Sequence, residues 1–179
     1  MKKIMVLFFS VCLCVSFTGC FYTVKTDEPT KETGANQSSL QKTDDSKEEV
    51  FGLNETAAFK SLKITATEIK KSSGDEFFKP EEGKEFVGIK FTVENISNEE
   101  EHVSSLLLFD SYADDVKLEY SLTANTVFKE GTIDGSVKPG KKLIGWYALE
   151  VPKNWKDLEI NVKSNWLSSK SAKFAFKQK

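Results

Sequence analysis

One histidine, a cluster of four carboxylates, two runs of adjacent glutamates and three tryptophans are the side chains of this 179-residue sequence that could do chemistry. His102 follows Glu99-Glu100-Glu101. A Ser-His-Asp or Cys-His arrangement would have to use it as base, beside an activated nucleophile. No G-x-S-x-G segment supplies that nucleophile. Zinc fares no better, since His102 has no second histidine and no cysteine partner. A solvated loop histidine is expected. Asp110, Asp114, Asp115 and Glu119 offer the hard oxygens that calcium takes, but about six to eight are needed and the EF-hand spacing with its glycine is absent. A polar hairpin tip is the expectation, with calcium binding by Asp110, Asp114 and Asp115 left open. Glu81-Glu82 and Glu99-Glu100-Glu101 could do glycosidase chemistry only at a set separation across a cleft, so solvated loops are expected. Trp146 is expected in the core, whereas Trp155 and Trp166, near turns, could stack on the apolar faces of sugars. No glycine-rich phosphate loop occurs. The residues thus assign no catalytic, cofactor or metal site.

The chemistry that the spacing does specify is at Cys20. Lys2 and Lys3 form a basic start, residues 4–17 an apolar stretch, and Thr18-Gly19 a small-residue approach to the cysteine. The apolar run has the length of a signal segment and is too short to span, since a transmembrane helix needs roughly 20 apolar residues. Phe17-Thr18-Gly19-Cys20 resembles the lipobox of bacterial lipoproteins, with Phe17 where leucine usually stands. That resemblance implies a signal peptide over residues 1–19, cut before Cys20, whose thiol then carries a diacylglycerol with fatty acyl chains such as palmitate. Cys12 and Cys14 would leave with the leader, so no intramolecular disulfide is possible in what remains. The protein would sit at the outer face of the cell membrane, anchored by lipid.

Residues 20–56 read as the lipidated cysteine and a disordered linker, because Lys, Thr, Ser, Asp, Glu and Gln dominate and too little apolar surface is available to offset ordering entropy. Its 36 residues beyond Cys20 would reach at most ~120 Å. Without the leader's two lysines the chain is mildly acidic, and it contains no arginine. Arginine is the side chain best shaped for bidentate phosphate and guanine contacts, so nucleic acid is not expected as a partner.

What remains, residues 57–179, is long enough to fold without disulfides. Alternation of period two marks strands: Val87, Ile89, Phe91 and Val93 share one face of residues 86–94. The same alternation runs through Leu158, Ile160 and Val162, through Leu62, Ile64 and Ala66, and through Val116, Leu118, Tyr120 and Leu122. Residues 143–151 are apolar on both faces, which predicts a central strand. Pro139-Gly140 predicts a type II turn. Short strands without a long helix predict an all-β domain of two packed antiparallel sheets, and pattern alone does not separate a sandwich from a closed barrel.

Gly83-Lys84-Glu85-Phe86-Val87, the strand-ending Asn95, Phe109-Asp110, Val137-Lys138-Pro139-Gly140 and Gly145-Trp146 through Val151-Pro152 together resemble a family of domains of unknown function found in lipoproteins of low-GC Gram-positive bacteria. The resemblance covers about residues 57 to 176 and implies a telokin-like, immunoglobulin-like β-sandwich with no catalytic residues to transfer. That family often carries Asp-x-Asp-Gly after the Phe109 position. Asp110-Ser111-Tyr112-Ala113-Asp114-Asp115 lacks the glycine, which implies a longer hairpin. The expected function is a lipid-anchored, non-catalytic sandwich presenting a binding surface to an envelope protein or polysaccharide. A small hydrolase of wall polymers and a solute-binding lipoprotein are the alternatives.

Overall fold

The computed structural model describes residues 29–32 and 49–178. The leader, Cys20 and most of the expected linker lie outside the described residues. Two five-stranded sheets face each other. The first runs β1 (Thr30–Glu32), β3 (Thr56–Ala58), β4 (Leu62–Ser72), β5 (Lys84–Asn95), β10 (Lys142–Pro152). The second runs β2 (Val50–Phe51), β12 (Ala172–Lys177), β11 (Asp157–Val162), β7 (Phe109–Ala113), β8 (Val116–Leu118). A small ribbon of β6 (Glu101–Val103) and β9 (Gly135–Val137) closes one end. Pairing is antiparallel except between β2 and β12. This is an open sandwich, which settles what pattern alone left open. β1, β2 and the first residue of β3 precede residue 57, so the sheets draw in parts of the segment that composition assigns to the linker.

Alternation builds the core as expected. Val87, Ile89, Phe91 and Val93 are fully buried against Leu158, Ile160 and Val162 of the other sheet. Aromatic rings then bridge the two layers: Phe174, which also meets its sheet neighbour Phe51, packs on Phe91 and Phe91 on Phe109, each pair with centroids 5.4 Å apart, and Phe109 stacks on Tyr147 at 4.8 Å. Such contacts add to the area that each ring buries. The Tyr147 hydroxyl is satisfied by Ser111 Oγ at 2.6 Å, and burial pushes its pKa up to about 12.

Residues 143–151 do not form a central strand. β10 is an edge, paired only with β5 within its sheet. Its outer face is buried because a second cluster covers it: Trp146 and Ala148 pack with Phe86, Ala124 and Phe128 under α2 (Leu122–Val127). Its free edge is also covered. Trp146 exchanges backbone hydrogen bonds with Gly131 and Ile133, and the Asn125 amide both donates to the Ala148 carbonyl and accepts from the Ala148 N–H. An edge strand left bare would template aggregation, and Asn125 fills the place of a strand residue. Gly145 is required here, since a Cβ would lie 2.3 Å from the Thr132 carbonyl oxygen.

The alternation from Val116 to Leu122 also resolves differently. β8 ends at Leu118, Val116 is exposed, and Leu122 opens α2 behind the N-cap Ser121, whose Oγ accepts from the Ala124 N–H. The turn between β7 and β8 is shorter than its missing glycine implies. It closes in two residues, with Asp114 at φ 47° and Asp115 at φ 67°. Aspartate tolerates the left-handed region better than most residues, and both positions of a type I′ hairpin need it. At the opposite end the expected type II turn is present: Gly140 has φ 68° and the Lys141 N–H donates to Lys138 O.

Candidate interaction surface

The sandwich has two ends. One carries Glu85, Pro152, the β7–β8 turn and the last residues of β12; the other carries Asn95, the β6–β9 ribbon, α1 (Ser105–Leu108) and the 163–171 loop. Asn95 organises the second end. It is fully buried, and its amide nitrogen donates to Glu99 O at 2.6 Å and Val137 O at 2.7 Å while its oxygen accepts from Ser97 N and Oγ. The ribbon is thereby tied to the end of β5.

From that ribbon the chain crosses to the second sheet through α1. A single turn of helix is marginal alone, and Ser104, its N-cap, makes no side-chain cap. Asp134, just ahead of the β9 strand that pairs with β6, does the work: its carboxylate accepts from the Ser105 N–H at 2.7 Å and from the buried Ser105 hydroxyl at 2.9 Å. With Ser105 and Leu108 turned inward, Leu106 and Leu107 point out, 70% and 62% exposed. Across from them, Asn165 Oδ1 accepts from the Leu167 N–H and Asn165 O from the Ser168 N–H. This Asx turn presents Trp166 and Leu167, 71% and 73% exposed. Leu107 and Trp166 line one groove of about 290 Å³, with Ser104, Asn165 and the His102 strand on its other walls.

The residues singled out in the sequence scatter over this frame. His102 is on β6 rather than in a loop; it is exposed, and its Nδ1 lies 2.9 Å from Ser136 Oγ. Asp114 is committed to structure, accepting the Lys156 and Asp157 N–H groups, and these bonds hold its carboxyl below the usual aspartate range. Asp110 lies between Lys117 at 3.3 Å and Lys163 at 3.6 Å. Among the described residues no group of three or more His, Cys, Asp or Glu side chains could hold a metal. Glu81 is paired with Lys84 at 2.6 Å, which lowers its pKa. Of the tryptophans, Trp146 lies in the cluster outside β10, Trp155 is buried, and Trp166 lines the groove beside α1. Leu106, Leu107 and Leu167 escaped sequence reasoning. Ser-Leu-Leu-Leu-Phe looks like core, and only Asn165 and Ser168 flanking Trp166-Leu167 signal an outward turn.

Among the described residues no helix is long and apolar enough to cross a membrane. No curated protein matches the chain in sequence. Solved structures share its fold, three of them from bacilli. A "putative lipoprotein (ycdA)" from Bacillus subtilis is 16% identical with a TM-score of 0.55 over 65% of this chain, which spans only 36% of that protein. A conserved hypothetical protein from Bacillus anthracis is 15% identical with a TM-score of 0.52, over 69% of this chain and 94% of that one. The yjhA protein from Bacillus subtilis is 18% identical, also at 0.52, over 70% and 97%. Residues 51–173 match the family described as a domain of unknown function, DUF4352, and the chain belongs to that family.

Proposed function

We propose that the protein is a lipid-anchored, non-catalytic module at the outer face of the cytoplasmic membrane, held by a diacylglyceryl group on Cys20 after removal of residues 1–19. The surface it presents is the groove between α1 and the 163–171 loop. One observation carries this reading: four large apolar side chains project outward from α1 and the 163–171 loop, each pinned by polar contacts. An apolar rim held in place against its own hydrophobic cost marks an interaction site. The likeness to a lipoprotein of the same fold supports the address. A hydrolase would need two carboxylates facing each other across a cleft, whereas Glu81 is engaged by Lys84 and Glu150 accepts the Glu81 N–H.

Metabolic labelling with an alkyne fatty acid tests the anchor. Label is expected on the wild type and not on Cys20→Ala. An unlabelled wild type, or equal label on both, sinks it.

A further inference from the structure

We propose that the groove docks onto the lipid surface itself, so that the sandwich rests on the membrane by its α1 end. The proposal rests on the anchor at Cys20, and the geometry of the chain's entry supplies the reason. Thr30 lies opposite Ala58, which pairs with Lys63, then Glu94, then Lys142, a row at the Asn95 end of the first sheet. Val50 enters the second sheet opposite Lys173, beside the 163–171 loop. The chain coming from the anchor therefore joins the fold at the end that carries the groove.

Length decides which end can reach lipid. Pro29 follows Cys20 by nine residues, which span at most about 32 Å even fully extended. β5 has 12 residues and separates the two ends by about 36 Å. A tether shorter than the strand it would have to pass cannot bring the far end, with its exposed Phe77 and Phe78, down to the bilayer while the sandwich stands upright. The groove end needs no such reach.

The side chains there suit the interface. Indole is enriched at headgroup level, and leucines on a polar-backed turn enter the acyl boundary. Charge at this end has both signs: Glu100 and Glu101 line the wall of the groove opposite Trp166, Glu99 is exposed beside them, and Lys138 and Lys141 flank the type II turn. Docking is thus carried by apolar insertion rather than by attraction to anionic headgroups. Because the contact is intramolecular with respect to the anchor, a surface too weak to bind membranes alone suffices.

Trp166 fluorescence reads the contact. Full-length protein purified from membranes is reconstituted in phosphatidylglycerol–phosphatidylethanolamine vesicles doped with a lipid brominated on its acyl chain. The difference between wild type and Trp166→Phe isolates Trp166 from Trp146 and Trp155. Expected are a blue shift, quenching by the brominated lipid and loss of acrylamide quenching, all reversed by L106S/L107S/L167S in protein with an unchanged melting temperature. Trp166 open to acrylamide on vesicles overturns the proposal. So does shielding without bromolipid quenching, which assigns the groove to a protein or a second copy of the chain. Alkyne label on the same samples separates the two readings: labelled and unquenched removes the dock and keeps the anchor, while an unlabelled protein removes the anchor and with it the tether on which the dock rests.

Discussion

Trp155 and Trp166 stand eleven residues apart, each beside a turn, at opposite ends of the sandwich, and the molecule treats them in opposite ways. Trp155 is 1% exposed, its indole N–H donates to Glu85 Oε1 at 3.0 Å, and Lys71 lies 5.1 Å above the ring while pairing with the same carboxylate at 2.9 Å. Gln178 adds a bond to Lys153 O, and Asp114 ties the neighbouring turn to β11. Trp166 projects from an Asx turn into a groove. Burying an indole needs an acceptor for its N–H, and Glu85 provides it for Trp155. One end is closed by a polar network over a large ring, while the other spends its polar contacts on holding apolar side chains out. The sharpest way to break this contrast is Trp155→Ala, which should cost about 3–5 kcal/mol in urea unfolding through cavity formation and a stranded Glu85–Lys71 pair. A loss within about 0.5 kcal/mol, the range of an ordinary surface change, would mean that this end is not closed by the ring.

The groove end has its own structural member, and it is Asp134 rather than anything in the groove. Asp134→Ala removes the acceptor for both the Ser105 N–H and its buried hydroxyl. Thermal unfolding should show a loss of about 1–2 kcal/mol, the scale of a helix cap together with an unsatisfied buried hydroxyl. Unchanged stability would show that α1 is held by the packing of Leu108 instead.

How far the sequence foretells these ends depends on whether the determining contact is local. The strands over 62–72, 84–95 and 157–162 are legible because alternation is a property of the strand itself. The type II turn at Pro139-Gly140 is legible for the same reason. The edge position of β10 is not: burial of both faces reads as central, and the elements that bury the outer face, α2 and residues 131–133, arrive from elsewhere in the chain. Leu106 and Leu107 are hidden likewise, since their exposure is set by an aspartate 29 residues beyond Ser105. The Asp114-Asp115 turn fails for a different reason. Glycine is the usual means of reaching positive φ, and here the backbone of Lys156 and Asp157 compensates through the Asp114 carboxylate.

That compensation makes the closed end pH-sensitive in a defined sense. Hydrogen bonds from Asp157 and Lys156 lower the Asp114 pKa from its ordinary 3.8, so the folded state favours the ionised form. The stabilisation is fully present above the unfolded value and is lost as pH falls through the lower folded one. Asp114→Asn should therefore be less stable than wild type at neutral pH, with the gap between their urea midpoints closing below about pH 3.8. A gap that is constant with pH would show that the charge is irrelevant and that only the turn geometry matters.

The smallest expected effect is the most telling for the groove. Trp166→Ala should move stability by no more than about 0.5 kcal/mol, as a surface change away from packing, caps and strain does. The loop has independent support, since Asn165 bonds the Leu167 and Ser168 N–H groups and Ser168 Oγ bonds both the carbonyl and the N–H of Lys170, none of which involves the ring. A side chain that is large, apolar, exposed and dispensable to the fold is free to serve the contact proposed for the groove. A cost approaching that of Trp155→Ala would make Trp166 a structural ring, and the two ends would then differ only in exposure and not in purpose.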